Sequence, residues 1–130
     1  MNIRKKLNIA VFVGVVENEF SMSVCRGAVL GAKEIDANLI ILPGGFINAE
    51  YENEDANCYR YQYNALYSCA DPSTIDVVII ELGTIASFLS DDEKAEFLNR
   101  FKGIPVITIA SNIDGYSSVC FDNTKGLRKG

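Results

Sequence analysis

The sequence predicts a single α/β domain built on a mostly parallel β-sheet, and three observations support this fold class. Short apolar runs rich in Val and Ile recur along the chain, as expected of strands that are covered on both faces. Segments with apolar residues at helical spacing separate these runs. Polar or glycine-bearing turns follow the runs. Because this alternation requires right-handed crossover connections, we expect helices on both faces of the sheet.

The first apolar run covers residues 7–16 and predicts the central strand. It leads into the polar segment Glu17-Asn18-Glu19-Phe20. In open parallel sheets, ligands bind beyond the carboxyl ends of the strands. The segment that ends at Phe20 is therefore a candidate binding loop.

Residues 21–36 carry apolar side chains at helical spacing, and Ser21 is the expected cap of this helix. Gly27 and Gly31 are four residues apart, as in a membrane dimerisation motif. Charged residues in the same segment exclude a membrane span. We therefore expect the two glycines to allow close packing of the helix against the sheet.

A second strand is predicted at residues 38–42, and Pro43-Gly44-Gly45 ends it. A polar loop then continues to about residue 55. Connections of this length are uncommon in compact domains, so residues 44–51 form a second candidate binding segment. The acidic residues of the loop are interpreted as a solvated rim near the next helix rather than as calcium ligands.

The next helix is predicted at residues 56–68. One side of this helix carries a stripe of mostly aromatic residues, Tyr59, Tyr63, Leu66 and Tyr67. We expect the stripe to face the core, because a base-stacking surface would need basic residues between the rings, and these are missing. A third strand is expected at residues 76–80. The segment Glu81-Leu82-Gly83-Thr84 then forms a turn at the same edge of the sheet.

Ser90 and Glu93 form a capping box that predicts a helix with Leu98 and Phe101 facing inward. The acidic residues at its start are stabilised by the helix dipole, and we expect no metal site there. Strands four and five are predicted at residues 106–110 and 118–121. Residues 124–130 have the pattern of the first turn of a helix that is cut off.

Together, these elements predict a flavodoxin-like three-layer αβα architecture with strand order 2-1-3-4-5. Residues 1–130 form one domain without an internal repeat or linker, and we expect the domain to be truncated at its C-terminal end.

Charge and composition exclude several partners. The net charge of −5 and the pI near 4.7 oppose binding to nucleic-acid phosphates and to anionic membranes. The basic start resembles that of a secretory signal, but Glu17 and Glu19 stand where a small-residue cleavage site is needed. We therefore expect a cytoplasmic domain.

The chain has four cysteines and no histidine, and no C-x-x-C spacing, so no zinc site is expected. Cys25 and Cys120 lie in apolar patterns and are interpreted as small buried residues in a reducing compartment. A disulfide between Cys58 and Cys69 is left open.

Catalytic motifs are missing. Neither G-x-G-x-x-G nor G-K-[ST] follows the first strand, so no nucleotide cofactor is expected. Without histidine, no Ser–His or Cys–His couple exists, and we expect no enzyme. A degenerate response-regulator receiver is an alternative, with Glu17 and Glu19 as metal ligands and Glu81 at the phospho-acceptor position. The lysine that a receiver requires after strand five is absent.

Several segments, taken in order, resemble one known family; they are residues 8–13, the loop ending at Phe20, residues 75–80, residues 104–107, and residues 118–123 with Gly126. This pattern resembles the amino-terminal lobe of LacI-type, periplasmic-binding-protein-like (type I) sensor domains. Residues 59–67 and 81–84 are similar to versions found ahead of diguanylate cyclase (GGDEF) modules in bacterial signalling proteins.

The resemblance implies that a small polar ligand, such as a sugar or nucleoside, binds between two lobes, of which this chain supplies one. Lobe closure then relays ligand occupancy to an output module in signalling or transcription regulation. By resemblance, the ligand contacts fall on the strand-end loops, at Glu17, Phe20, Gly45, Phe46, Gly83, Thr84, Ser111, Asn112, Asp122 and Asn123. Phe20 is expected to stack on the ligand; a hydrophobic staple at the helix start is the alternative.

The predicted function is thus that of a non-enzymatic sensor lobe. Exposed lobe surface is expected to favour a homo-oligomer. The alternative is a protein-interaction or dimerisation module without a small ligand.

Overall fold

The structure is a computed structural model that describes residues 6–47 and 64–120. Within these ranges the elements are, in chain order, β1 (Asn8–Val13), α1 (Glu19–Glu34), β2 (Asn38–Pro43), a 3₁₀ helix (Ala65–Ser68), β3 (Val77–Ile80), α2 (Leu82–Ile85), α3 (Asp91–Asn99), β4 (Val106–Ile109) and β5 (Ser117–Val119). The predicted aromatic positions Tyr59 and Tyr63 and the predicted C-terminal helical turn lie outside the described residues.

All five described strands form one sheet with the order β2-β1-β3-β4-β5, and every neighbouring pair is parallel. The α/β class, the strand order and the flavodoxin-like three-layer arrangement are therefore confirmed. The chain leaves β1 toward one side of the sheet to form β2 and then crosses back to form β3. The junction of β1 and β3 is the topological switch point, where open parallel sheets bind ligands.

The alternation of side chains along β1 divides the core between the two faces of the sheet. Ala10 and Phe12 belong to the larger cluster, which the 3₁₀ helix, α2 and α3 cover. Val11 and Val13 face α1 and pack with Cys25. Both faces of this strand are thus buried, which explains why its sequence is an almost continuous apolar run.

The structure shows which residues cap the N-termini of α1 and α3. Helix α1 begins earlier than predicted, because the side chain of Asn18 accepts a hydrogen bond from the Phe20 N–H at 2.8 Å and is the true N-cap. Ser21 lies in the first turn and is fully buried, so its predicted role as cap is wrong. The capping box of Ser90 and Glu93 is confirmed, with both reciprocal hydrogen bonds present.

The segment after β3 is not the simple turn that the sequence predicts. Leu82–Ile85 forms the single-turn helix α2, and Leu82 and Ile85 are fully buried. Leu98 and Phe101 of the later helical segment are buried as predicted. Cys25 is also buried as predicted, whereas Cys120 at the end of β5 is exposed, contrary to the expectation. Cys69 is exposed as well, and Cys58 lies outside the described residues.

Candidate functional site

The loops that follow β1, β2 and β3 converge at the carboxyl edge of the sheet. The N–H of Gly45 donates to the carbonyl of Gly14 at 2.9 Å. A Cβ atom placed on Gly14 would lie 3.5 Å from the Thr84 side chain and 3.9 Å from the ring of Phe46. We call the group Gly14, Gly45, Phe46, Gly83 and Thr84 the strand-end rim. Four of its five members are residues that the resemblance selects as ligand contacts.

Side chains of the 3₁₀ helix and of the residue before it donate hydrogen bonds to the loop that follows β2. The Tyr67 hydroxyl donates to the carbonyl of Gly45. Asn64 Nδ2 donates to the carbonyl of Gly44 at 2.7 Å and, at 3.3 Å, to that of Phe46. Because these bonds fix the backbone before any ligand arrives, binding would cost little loop-ordering entropy. The sequence predicts Tyr67 as a core residue but gives no signal for the contact of its hydroxyl.

The end of β3 lies tightly against the end of β4. A Cβ atom on Gly83 would approach the Cβ of Ala110 to 2.7 Å and would overlap the Ala110 carbonyl. Ala110 itself has a φ of 63°, in the left-handed region that residues other than glycine rarely adopt. Only glycine at position 83 allows this approach.

A buried glutamate lies at the switch point. Glu81, directly after β3, is fully buried, and its Oε1 accepts a hydrogen bond from the Ser21 hydroxyl at 2.9 Å. Burial raises the pKa of Glu81, and the hydroxyls of Thr84 and Ser21 lower it in part. Burial also raises the pKa of the Cys25 thiol, with a smaller contribution from the nearby Glu81 carboxylate. A fully buried carboxyl is poorly placed to accept a phosphoryl group, which argues against the receiver alternative.

An aromatic pair extends the strand-end rim toward solvent. The rings of Phe46 and Phe88 meet edge to face, with centroids 6.1 Å apart and an interplanar angle of 80°. Phe88 is 61% exposed, and Phe46 is half-buried. The sequence reasoning includes Phe46 but misses Phe88. An exposed large aromatic residue in a turn has no periodicity that would have indicated it.

The other predicted ligand-contact residues lie outside the strand-end rim. Glu17 is exposed in the loop before α1. Phe20 is half-buried and lines an apolar groove on the α1 face of the sheet. Ser111 and Asn112 follow β4, where the Ser111 carbonyl accepts from Thr108 Oγ1 at 2.7 Å and Asn112 Oδ1 accepts from the Ser118 hydroxyl at 3.3 Å. Asp122 and Asn123 lie outside the described residues.

The groove on the α1 face has a volume of about 660 Å³ and apolar walls; its lining includes Phe20, Gly27, Gly31, Ile79, Ile109 and Val119. A Cβ atom on Gly27 or on Gly31 would meet no heavy atom of residues 6–47 and 64–120 within 4 Å, apart from the backbone of its own helix. The expectation that these glycines allow close packing of α1 against the sheet is therefore wrong. They border open space instead.

Residues 6–47 and 64–120 contain neither a membrane-spanning helix nor a cluster of metal-binding side chains. No helix there has the length and apolar content needed to cross a bilayer. Nor do at least three His, Cys, Asp or Glu side chains in these ranges come together as metal ligands would.

Comparisons of the chain with protein-family models, with curated proteins and with solved structures find no match. The fold and the strand-end rim therefore define the protein by class: it contains an α/β domain of flavodoxin-like topology. In this domain the loops at the carboxyl edge of the sheet converge on the switch point, and the loop after β2 is fixed by hydrogen bonds from Tyr67 and Asn64.

Proposed function

We propose that the chain is a non-enzymatic sensor lobe of a bacterial signalling or transcription-regulatory protein, which binds a small ligand at the strand-end rim. The observation that supports this proposal is the convergence of three loops around Gly14, one of which is fixed in advance by Tyr67 and Asn64. The position at the switch point is where this fold class binds ligands.

The chemistry of the strand-end rim suits a polar, ring-shaped ligand such as a sugar or a nucleoside. Phe46 and Phe88 offer apolar ring surface, and the Thr84 side chain, whose methyl group faces Gly14, carries the hydroxyl of the strand-end rim. Small-molecule sites typically combine such an apolar surface with a few polar groups that set orientation. In keeping with the family resemblance, we propose that the ligand lies between this lobe and a second one.

In this proposal the lobe acts by changing a conformational equilibrium rather than by chemistry. A ligand that contacts two lobes at once binds their closed arrangement more tightly than the open one. It therefore shifts the population toward the closed state. An output module, such as a diguanylate cyclase in the cytoplasm, would then respond to that shift.

A thermal-shift screen of sugars and nucleosides tests this function on the protein with both lobes present. A ligand that binds the folded state alone raises the Tm, and the rise continues with the logarithm of the ligand concentration above the Kd. We expect at least one compound to raise the Tm, and Thr84→Val to reduce the rise because it removes the hydroxyl at nearly constant volume. Ser87→Ala changes a nearby exposed hydroxyl and is the matched control. A complete panel with no Tm rise contradicts a small-ligand function for this lobe.

A second candidate function, a protein-interaction or dimerisation module, is favoured by the α1 face. Leu30, on α1, is 64% exposed, Val29 is also exposed, and other residues of α1 line the apolar groove. Exposed apolar surface is typical of interaction sites. Light scattering over a range of protein concentrations tests it. We expect dimers that Leu30→Gln weakens and that the control Lys33→Gln leaves unchanged; a monomer at all concentrations contradicts self-association.

A further inference from the structure

One oxygen of the buried Glu81 carboxyl lacks a hydrogen-bond partner. Oε1 accepts from the Ser21 hydroxyl at 2.9 Å, whereas Oε2 is buried and has no partner of good geometry among the described residues. Leaving a buried acceptor unsatisfied costs roughly 1–3 kcal/mol, and more for a charged group. Such groups in native proteins are rare, and each requires an explanation.

No described cation neutralises this carboxyl group. The ion pair present in residues 6–47 and 64–120 joins Lys6 to Asp36, both of them exposed. An isolated buried carboxylate is strongly disfavoured, so Glu81 must hold a proton or pair with a cation that is not among the described residues. The acid form satisfies the charge requirement but still leaves a buried polar atom to be paired.

The carboxyl group is close to the strand-end rim. Thr84 is half-buried, and its side chain lies next to Gly14. Its hydroxyl is also close enough to Glu81 to lower the pKa of that carboxyl. A ligand that reaches the Thr84 hydroxyl is therefore one side chain away from Oε2.

We propose that the ligand of the strand-end rim carries a primary ammonium group, which donates a hydrogen bond to Oε2 of Glu81. This inference rests on the proposed function, because the ammonium group belongs to a small ligand that the lobe must first bind. An ammonium group has three N–H donors. Oε2 is one acceptor that matches it, and the Thr84 hydroxyl oxygen beside the carboxyl group is a second.

A divalent metal ion is a poorer match to the same position. Calcium and magnesium require several oxygen ligands, usually with more than one carboxylate. Among the described residues, no group of three or more potential metal-binding side chains exists. A single carboxylate with hydroxyl neighbours instead fits a monovalent cation that brings its own hydrogen-bond donors.

Binding of the ammonium group is coupled to loss of one proton. The neutral carboxyl of Glu81 releases its proton to solvent, and the resulting carboxylate pairs with the bound cation. Charge and protons therefore balance with one proton released per ligand. Because the free site must first lose this proton, affinity should rise with pH, by up to about tenfold per pH unit below the raised pKa.

The test is NMR of the 130-residue chain labelled with ¹³C at the glutamate carboxyl carbons, with Glu81→Gln used to assign the Glu81 signal. Ethylammonium chloride is titrated at constant ionic strength, and tetramethylammonium chloride and sodium chloride serve as matched salts without N–H donors. We expect a saturable shift of the Glu81 signal and of the Gly14 and Thr84 amides with ethylammonium alone. Glu81→Gln should abolish the amide response, whereas Glu96→Gln, which changes an exposed carboxyl on α3, should preserve it.

Equal shifts with all three salts, or an unshifted Glu81 signal, overturn the inference. This failure is distinct from failure of the proposed function. If neutral sugars or nucleosides shift the rim amides while ethylammonium leaves Glu81 unchanged, the lobe binds a ligand without an ammonium group. If no compound of either kind shifts the rim amides, both proposals fail.

Discussion

The Ser21 hydroxyl donates to Oε1 of Glu81 at 2.9 Å, and this buried hydrogen bond joins the first turn of α1 to the carboxyl end of β3 across 60 residues of sequence. It spans the switch point between β1 and β3. Buried polar pairs specify one arrangement of their elements, because a shift of either element leaves both groups unpaired. The position of α1 over the sheet thus depends on an uncommon feature, a glutamate in the core.

The folding stability should therefore depend on pH through Glu81. Burial raises its folded-state pKa above the usual 4.5, so the folded protein binds this proton more tightly than the unfolded chain does. The resulting stabilisation is complete below about pH 4.5 and is lost as pH rises through the raised pKa. Urea unfolding of the wild type and of Glu81→Gln, measured from pH 4 to 8, isolates this contribution. As the pH rises, the free energy of unfolding of Glu81→Gln should increase relative to that of the wild type by up to about 1.4 kcal/mol per pH unit.

Glutamine is a suitable replacement because its carbonyl oxygen can still accept from Ser21 and it carries no charge at any pH. Glu96→Gln on α3 is the matched control, and its stability difference from the wild type should stay nearly constant. If the wild type and Glu81→Gln keep the same difference from pH 4 to 8, Glu81 does not titrate abnormally.

The close contact of Gly83 with Ala110 should make position 83 intolerant of any side chain. Gly83→Ala places a methyl group 2.7 Å from the Ala110 Cβ and against its carbonyl. Overpacking of this kind costs about 1–3 kcal/mol. Gly31→Ala, in α1, is the contrasting variant, because its methyl group meets no heavy atom within 4 Å outside the backbone of its own helix among the described residues. It should stabilise the protein by about 0.5–1 kcal/mol, as alanine does inside a helix.

Chemical denaturation of both glycine variants checks this pair of predictions. A Gly83→Ala protein as stable as the wild type would show that α2 and the end of β4 do not approach as closely as described. A destabilised Gly31→Ala protein would show that the groove beside α1 is filled in solution.

The Tyr67 hydroxyl should fix the β2 loop of the strand-end rim. Tyr67→Phe removes its bond to the Gly45 carbonyl but keeps the ring, which packs edge-on against Phe12 and Phe97. We expect a loss of about 1 kcal/mol in unfolding free energy. Hydrogen exchange of the Gly45 amide, which donates to Gly14, should become faster.

Tyr116→Phe is the control, because the Tyr116 hydroxyl has no hydrogen-bond partner in the described part of the chain and the residue is half-buried. The Gly45 amide of the Tyr116→Phe variant should exchange hydrogen at the same rate as in the wild type. Unchanged exchange in Tyr67→Phe would mean that the loop is held by Asn64 alone.

The strands and their order were predictable from sequence because the parallel sheet buries both faces of its inner strands. That burial produces short, nearly continuous apolar runs, and the crossover rules then allow few orders. The ends of elements were less predictable. Asn18 and Ser21 are both residue types that commonly cap helices. Asn18 is the N-cap, and the Ser21 hydroxyl instead donates a hydrogen bond to Glu81, which follows β3 and is distant in sequence.

The features missed at the candidate site depend on tertiary contacts that leave no local pattern. A glutamate in a glycine-bearing turn suggests an exposed residue, yet Glu81 is buried by its place at the switch point. Gly27 and Gly31 have the spacing of a packing motif, but the space beside them is open. The contact between Phe46 and Phe88 joins residues far apart in sequence, which periodicity cannot indicate.

Amide chemical-shift mapping of the 130-residue chain against a panel of sugars, nucleosides and primary amines tests the central claim most directly. The account predicts saturable shifts for at least one compound, concentrated at Gly14, Gly45, Phe46 and Thr84, while amides along α3 stay unchanged. Saturable shifts confined to the α1 groove, around Gly27 and Val119, would contradict the claim that the strand-end rim is the binding site. A panel without saturable shifts anywhere would contradict ligand binding by this lobe.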